Sequence, residues 1–400
     1  MKLTISYLLL WLLISTSVLS ADLRETLLRQ AANDNGYRPP SEINLKFNLD
    51  QSIIGKKLFE SELLSFNSNT SCQSCHLDEF SSADGLPNAV GVGGEGRGLS
   101  RLTSGGSVVP RNTLPLWGRG SLGFETFFWD GKVEKIDGVV NSQFGLVSPS
   151  EDPLVTAVHL PFVEIREMVM DNKEISAKYK TESVSSAKLI LNSLVEKLKT
   201  IKLGVELSSS LDKNIDELEF IDIVTAITGH IKNNFAIGES KFSQFYEGKG
   251  QLSKNEIDGG LIFYGKGRCS SCHSGPHFSD FKFHNIIFPQ LGFGKNGFGI
   301  DYGRFNVTKN YKDLYKFRTP PLANVSKTRP YGHSGSLKTL VSVIVSHFDP
   351  LRYFNTKDLD PIRRRELFVR IQSTAGQPNP TYLDNMEIKD LIAFLNTLSF

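Results

Sequence analysis

Two five-residue runs carry the chemistry of this 400-residue chain: Cys72-Gln73-Ser74-Cys75-His76 and Cys269-Ser270-Ser271-Cys272-His273. Together they use every cysteine present. Two thiols three residues apart can each add to one vinyl group of a haem. The His that follows then lies under the ring as the proximal iron ligand, so this spacing is that of c-type haem attachment. Zinc is the poorer alternative, because paired CxxC ligands normally lie close in sequence and here a large part of the chain separates them. A dithiol redox site would sit beside a βαβ pattern, which is missing. Cys72, Cys75, Cys269 and Cys272 are therefore expected as thioethers, with His76 and His273 on iron, leaving no free thiol and no disulfide.

Each motif needs an element to hold it. Ile53, Ile54, Leu58, Phe59, Leu63 and Leu64 fall at helical spacing just before the first, and residues 253–267 repeat the arrangement before the second. IIGKKLFES and GGLIFYGKG thus form an internal repeat. Further helices are expected over 183–201, 216–236, 337–347 and 386–398, whereas glycines and prolines across 84–124 break regular structure. Strand signals are sparse. The fold class read from this is mainly α, in two domains at 21–215 and 216–400, with long irregular loops.

Composition narrows the function. A formal charge of +2 speaks against a nucleic-acid binder, and 27 Phe with 22% charged residues speaks against disorder. Residues 1–20 read as a signal peptide, with Lys2, an apolar run over 7–14 and a cut after Ser20. A single membrane anchor is the alternative, though the run is short for a span. The mature chain is expected to be exported, periplasmic and without a membrane span.

At this point the sequence resembles the bacterial dihaem cytochrome c peroxidases and their MauG-like relatives. The resemblance rests on both CxxCH sites, Pro110-Arg111-Asn112, Phe128-Trp129-Asp130-Gly131, Phe317-Arg318-Thr319-Pro320-Pro321-Leu322 and the run Arg329 to Leu337. It implies two cytochrome c-like haem domains. The N-terminal haem would meet hydrogen peroxide, and the C-terminal haem would store or relay electrons.

The resemblance also implies roles for single residues. Many members cap the N-terminal haem with a His from the loop after the first motif. Here no His occurs between His76 and His159, so that haem is expected to be open. Met168, His159 or water are the competing caps. The family's distal acid lies six residues after a Pro and before a Met. Pro161 and Met168 therefore mark Glu167 as the acid/base for peroxide, with Glu164 as the rival carboxylate. The family's Gln four residues before that Pro is Ala157 here. The sixth ligand of the C-terminal haem falls fourteen residues beyond His333, on His347, which shares an apolar helix face with Leu340 and Ile344. Tyr331 and His333 compete with it. Trp129 matches the tryptophan between the haems, and Asn112 with the carbonyls of Thr328 and Pro330 matches a calcium site. His230, His277 and His284 are expected to be structural.

The resulting expectation is an oxidoreductase acting on hydrogen peroxide, with two c-type haems and one calcium ion. Its electrons would come from side chains of a partner protein, as in the MauG type, or from a small cytochrome or cupredoxin. A non-catalytic electron-transfer cytochrome is the third reading and would need both haems six-coordinate.

Overall fold

The computed structural model describes residues 22–142, 150–170, 183–357, 359–374 and 381–400. The expected signal peptide lies outside them. The fold is mainly helical, with three small antiparallel ladders. Among the described residues no helix is long and apolar enough to cross a membrane.

Two crossed helix pairs organise the chain. Helix Leu49–Glu60, capped by the Asn48 side chain, packs on helix Phe220–Asn234. Helix Lys254–Tyr264, opened by a Ser253/Glu256 capping box, packs on helix Asn385–Asn396. A glycine sits at each crossing. A Cβ on Gly55 would lie 1.9 Å from the Ala226 carbonyl oxygen, and one on Gly259 would lie 1.9 Å from that of Asp390. Only a residue without a side chain lets the backbones meet so closely. The sequence repeat is therefore a structural repeat: helix, CxxCH turn, connecting loops, returning helix.

The hydrophobic core divides in the same way. One cluster draws on residues from Ile54 to Phe235, and the second joins Leu28, Ala32 and Tyr37 to Phe242 through Leu398. The two clusters part later in the chain than the expected division at 215/216. Helix Phe220–Asn234 buries Ile223, Val224, Ile227 and Ile231 in the first cluster, and the helix over 22–34 belongs with the second. The boundary falls between Phe235 and Phe242.

One ladder was unexpected. Strands Thr126–Phe127, Val133–Ile136 and Val139–Ser142 pair antiparallel in that order. Asp137 and Gly138 both have positive φ, which a two-residue hairpin turn with the right twist demands. The loop between the first two strands carries Trp129, so this hairpin fixes the segment joining the two cores. Helices Pro153–His159, Lys202–Ser210 and Pro361–Gln372 were also unexpected.

Candidate functional site

At the second motif, Cys269–Ser271 forms a single 3₁₀ turn that leads into His273. The His273 Nδ1 lies 2.9 Å from the Phe278 carbonyl, which leaves Nε2 as the open nitrogen. One cavity is bordered by Cys269, Cys272, His273, Leu340, Ile344 and His347. His347 stands on helix Leu340–Phe348, with Nδ1 2.8 Å from the Val343 carbonyl and no protein partner at Nε2. Its rivals are engaged elsewhere. The Tyr331 hydroxyl donates to the Val325 carbonyl at 3.0 Å. His333 stacks on Phe317 at 3.8 Å and bonds the Gln290 side chain at 2.8 Å. Burial pushes His273 down to about 4 and lowers His347 as well. Both imidazoles are thus neutral, the form that binds a metal. A largely apolar cavity with two free thiols at one edge and two open imidazole nitrogens fits a haem.

The first motif repeats the turn at Cys72–Ser74, and the His76 Nδ1 lies 2.8 Å from the Ser82 carbonyl. Burial lowers His76 to about 4. Beyond it the chain differs. The glycine-rich loop is tied down by buried Arg101, which donates to the carbonyls of Val90, Gly94 and Gly91 at 2.6, 2.7 and 2.9 Å. A Cβ on Gly91 would lie 1.9 Å from the Arg166 carbonyl oxygen and 2.8 Å from the Glu167 Cα. The loop therefore seats directly on the segment that carries Glu167.

That segment separates the two candidate carboxylates. Glu164 is ion-paired with the buried Lys132, which holds its carboxyl below the usual range against the cost of burial. Burial raises Glu167 to about 7, with Lys132 opposing and Glu164 adding to the rise. Its charge in turn helps to raise both Cys72 and Cys75, after burial itself. Glu167 thus borders the first motif and can exchange a proton near neutral pH. Met168 packs in the first core, and His159 bonds the Val155 carbonyl at 3.0 Å and packs on Phe220. Ala157 is buried in the same core. Pro161 lies in the short turn Leu160–Val163 that delivers the segment.

Between the motifs, Trp129 is buried and its Nε1 donates to the Asn112 carbonyl at 3.0 Å. It borders the same cavity as His273. Arg111 grips Asp301 with two bonds, at 2.8 and 2.9 Å, and Asp130 at 2.6 Å, so the Pro110 and Trp129 motifs are locked together. Asn112 donates through Nδ2 to the Leu86 carbonyl at 2.7 Å, while its Oδ1 accepts no hydrogen bond among the described residues. Asn112, Thr328 and Pro330 border one cavity, and neither of the latter two carbonyls accepts a hydrogen bond. Three such oxygens suit a hard cation.

Sequence reasoning missed Lys132, although it follows Trp129-Asp130-Gly131 directly. It also missed a cluster at the second motif, where ligand atoms of Cys272, Asp280 and His284 lie within 4.8 Å of one another. A thioether on Cys272 would remove the thiolate from that set. His284 bonds Asp280 at 2.9 Å and is raised by it to about 9. His230 packs between Phe59 and Phe235.

This chain belongs to the di-haem cytochrome c peroxidase family, which residues 50–251 match. It is accordingly a dihaem, peroxidase-type oxidoreductase with two c-type haems. It is similar to the methylamine utilization protein MauG of Methylorubrum extorquens, at 25% identity over 354 residues covering 87% of this chain and 78% of that protein. It is likewise similar to the cytochrome-c peroxidase IdrP1 of a Pseudomonas species, at 24% identity, covering 96% of this chain and 91% of that one. Among solved structures, the diheme peroxidase BthA from Burkholderia thailandensis shares the fold, with a TM-score of 0.63 at 18% identity over 91% of this chain and 89% of that chain.

Proposed function

We propose that the chain is a peroxide-consuming enzyme whose N-terminal haem is open without prior activation, and whose electrons are drawn from side chains of a partner protein. The observation that carries this is the distal side of the first motif. It offers a proton-exchanging carboxylate, Glu167, and a loop without histidine that Arg101 holds in place. In this reading the two helix-pair units are cytochrome c-like haem domains, attached at Cys72/Cys75 and Cys269/Cys272. When bound, each haem supplies one-electron redox chemistry and, at an open iron, a site for peroxide.

The protein's part is proton management and orientation. With haem bound, Glu167 would accept a proton from hydrogen peroxide and return it to the departing oxygen, which would leave as water. Glu164, held by Lys132, stays ionised and contributes negative charge that keeps Glu167 ready to bind a proton. The carbonyl of Ser82 fixes the His76 ring and that of Phe278 fixes His273, which sets the tautomer that presents Nε2 to iron. His347 would help to hold the second haem through Nε2, and Trp129 would be the redox-active aromatic between the two sites. Asn112 Oδ1 with the carbonyls of Thr328 and Pro330 would hold calcium, whose role is to fix the segments around Trp129. Export to the periplasm belongs to the same reading. The second reading, a peroxidase fed by a small cytochrome or cupredoxin, draws on the similarity to proteins named cytochrome-c peroxidases.

Optical and EPR spectra of the ferric holoprotein, followed by stoichiometric peroxide, test the proposal. One high-spin and one low-spin haem are expected, with prompt reaction before any reduction. His347→Ala should convert the low-spin signal to high-spin. Two low-spin haems inert to peroxide would overturn the enzymatic reading, and an unchanged low-spin signal in the variant would remove His347 as the ligand.

A further inference from the structure

Two arginines between the motifs have no counter-charge. Arg318 is 1% exposed, donates through its backbone N–H to the Trp129 carbonyl and through Nε to the Phe128 carbonyl at 3.0 Å, and leaves both Nη groups buried without any partner. Arg119 is 8% exposed, donates through its backbone N–H to the Leu116 carbonyl and, among the described residues, makes one side-chain hydrogen bond, from Nε to the Pro115 carbonyl at 2.8 Å. Among the described residues neither has a carboxylate partner. Their guanidinium carbons lie 5.6 and 5.7 Å from the centre of the same Phe124 ring.

An unpaired buried cation is among the costliest things a protein interior can hold, and a chain keeps one where an anion arrives to meet it. Two other arginines show the contrast, whereas buried Arg370, away from the motifs, also lacks a carboxylate among the described residues, and its side chain bonds only the Phe288 carbonyl. Arg111 has two aspartates, and Arg101 is saturated by three carbonyls. The location names the missing anion. Arg318 borders the cavity formed by Cys272, His273 and His347, and the turn that carries Arg119 is tied to the first motif, since the Leu116 N–H donates to Ser82 Oγ at 2.8 Å and the Ser82 carbonyl holds the His76 ring. Each orphan thus belongs to one motif. A haem tethered through its vinyl edge carries two propionate carboxylates on the remaining edge, and the planar guanidinium fork matches a carboxylate.

Resting on the dihaem reading, the geometry points to Arg318 and Arg119 as the counter-charges of the haem propionates, Arg318 serving the C-terminal haem and Arg119 the N-terminal one. The two cofactors would then share one cationic bridge across Phe124, beside Trp129. Among the described residues none neutralises it, so haem capture completes the electrostatics of the interface between the two cores.

The test is spectropotentiometry of the dihaem holoprotein at pH 8, with haem content counted first by pyridine haemochrome. Fewer than two haems per wild-type chain would sink the dihaem reading itself. With two present, Arg318→Gln should favour the oxidised C-terminal haem about tenfold, a fall of about 59 mV for one electron, while Arg119→Gln lowers the N-terminal haem instead. Arg318→Lys should retain most of the wild-type midpoint because it keeps the charge. Unchanged midpoints in loaded Arg318→Gln would overturn the assignment, as would equal shifts in the Gln and Lys variants, which would mark a packing role. If Arg318→Gln does not load, the resonance Raman propionate-bending band of Arg318→Lys decides. A shifted band supports the pairing and an unshifted band removes it.

Discussion

The two CxxCH units begin alike and diverge on the far side of the iron position. In both, a glycine-crossed helix pair carries a 3₁₀ turn, and the motif His is fixed by a backbone carbonyl through Nδ1. Opposite His273 the chain supplies an apolar helix ending in a neutral imidazole, His347. Beside the first motif it supplies a carboxylate, Glu167, on an irregular segment buttressed by a glycine loop. In the proposed function the same scaffold presents a ligand in one copy and a proton carrier in the other. A repeat conserves how a cofactor is held, while the distal residues decide what the cofactor does.

The largest effect that could break this comparison is at Glu167. Glu167→Gln should lower the rate with peroxide by roughly two to four orders of magnitude, the usual worth of a positioned acid/base, in stopped-flow traces at neutral pH. Its resting spectra should stay as in the wild type. If the rate holds, the carboxylate is not the proton carrier and the two distal sides do not differ as argued.

Next come the crossings that make the units alike. Gly55→Val and Gly259→Val should each destabilise by about 3 kcal/mol or more, because the new side chain meets backbone that cannot yield. Denaturant melts of the holoprotein would read this. Loss in one variant alone would mean that the two crossings are not equivalent.

A finer effect lies in pH. With Glu167 raised to about 7, the rate with peroxide should climb as pH rises through that value, since the ionised form accepts the proton. In Glu164→Gln the limb should move to lower pH, because a negative neighbour is removed and Lys132 is freed to act on Glu167. A limb displaced upward would contradict the pairing. The smallest expected effect is at the helix starts. Ser253→Ala should cost about 1 kcal/mol in the same melts, as loss of a cap does.

Much of the site was legible because its chemistry is local. Cys and His positions, the helices that precede them and the face shared by Leu340, Ile344 and His347 are all patterns within a few turns. What escaped depends on distant partners. Helix Phe220–Asn234 reads as amphipathic wherever it packs, and only its meeting with Gly55 assigns it to the first core. The resemblance already favoured Glu167 over Glu164, but the physical reason, Lys132 paired with Glu164, lies in a distant segment. The hairpin is a different kind of miss, since Asp137-Gly138 is a turn signal in plain sequence. Its strands of two to four residues are too short for an alternating pattern to register.

The helix over 22–34 has a consequence in time. Leu28, Ala32 and Tyr37 complete the core whose remaining members run from Phe242 to Leu398. As the chain emerges after export, the first core can close once Phe235 is out, while the opening segment must wait for partners that start only at Phe242 and run to Leu398. Domains fold as units in order of appearance, so the second unit is the late one, and its earliest residues stay exposed longest. The span from 22 to 37 is therefore where an incompletely made chain presents apolar surface to chaperones and proteases.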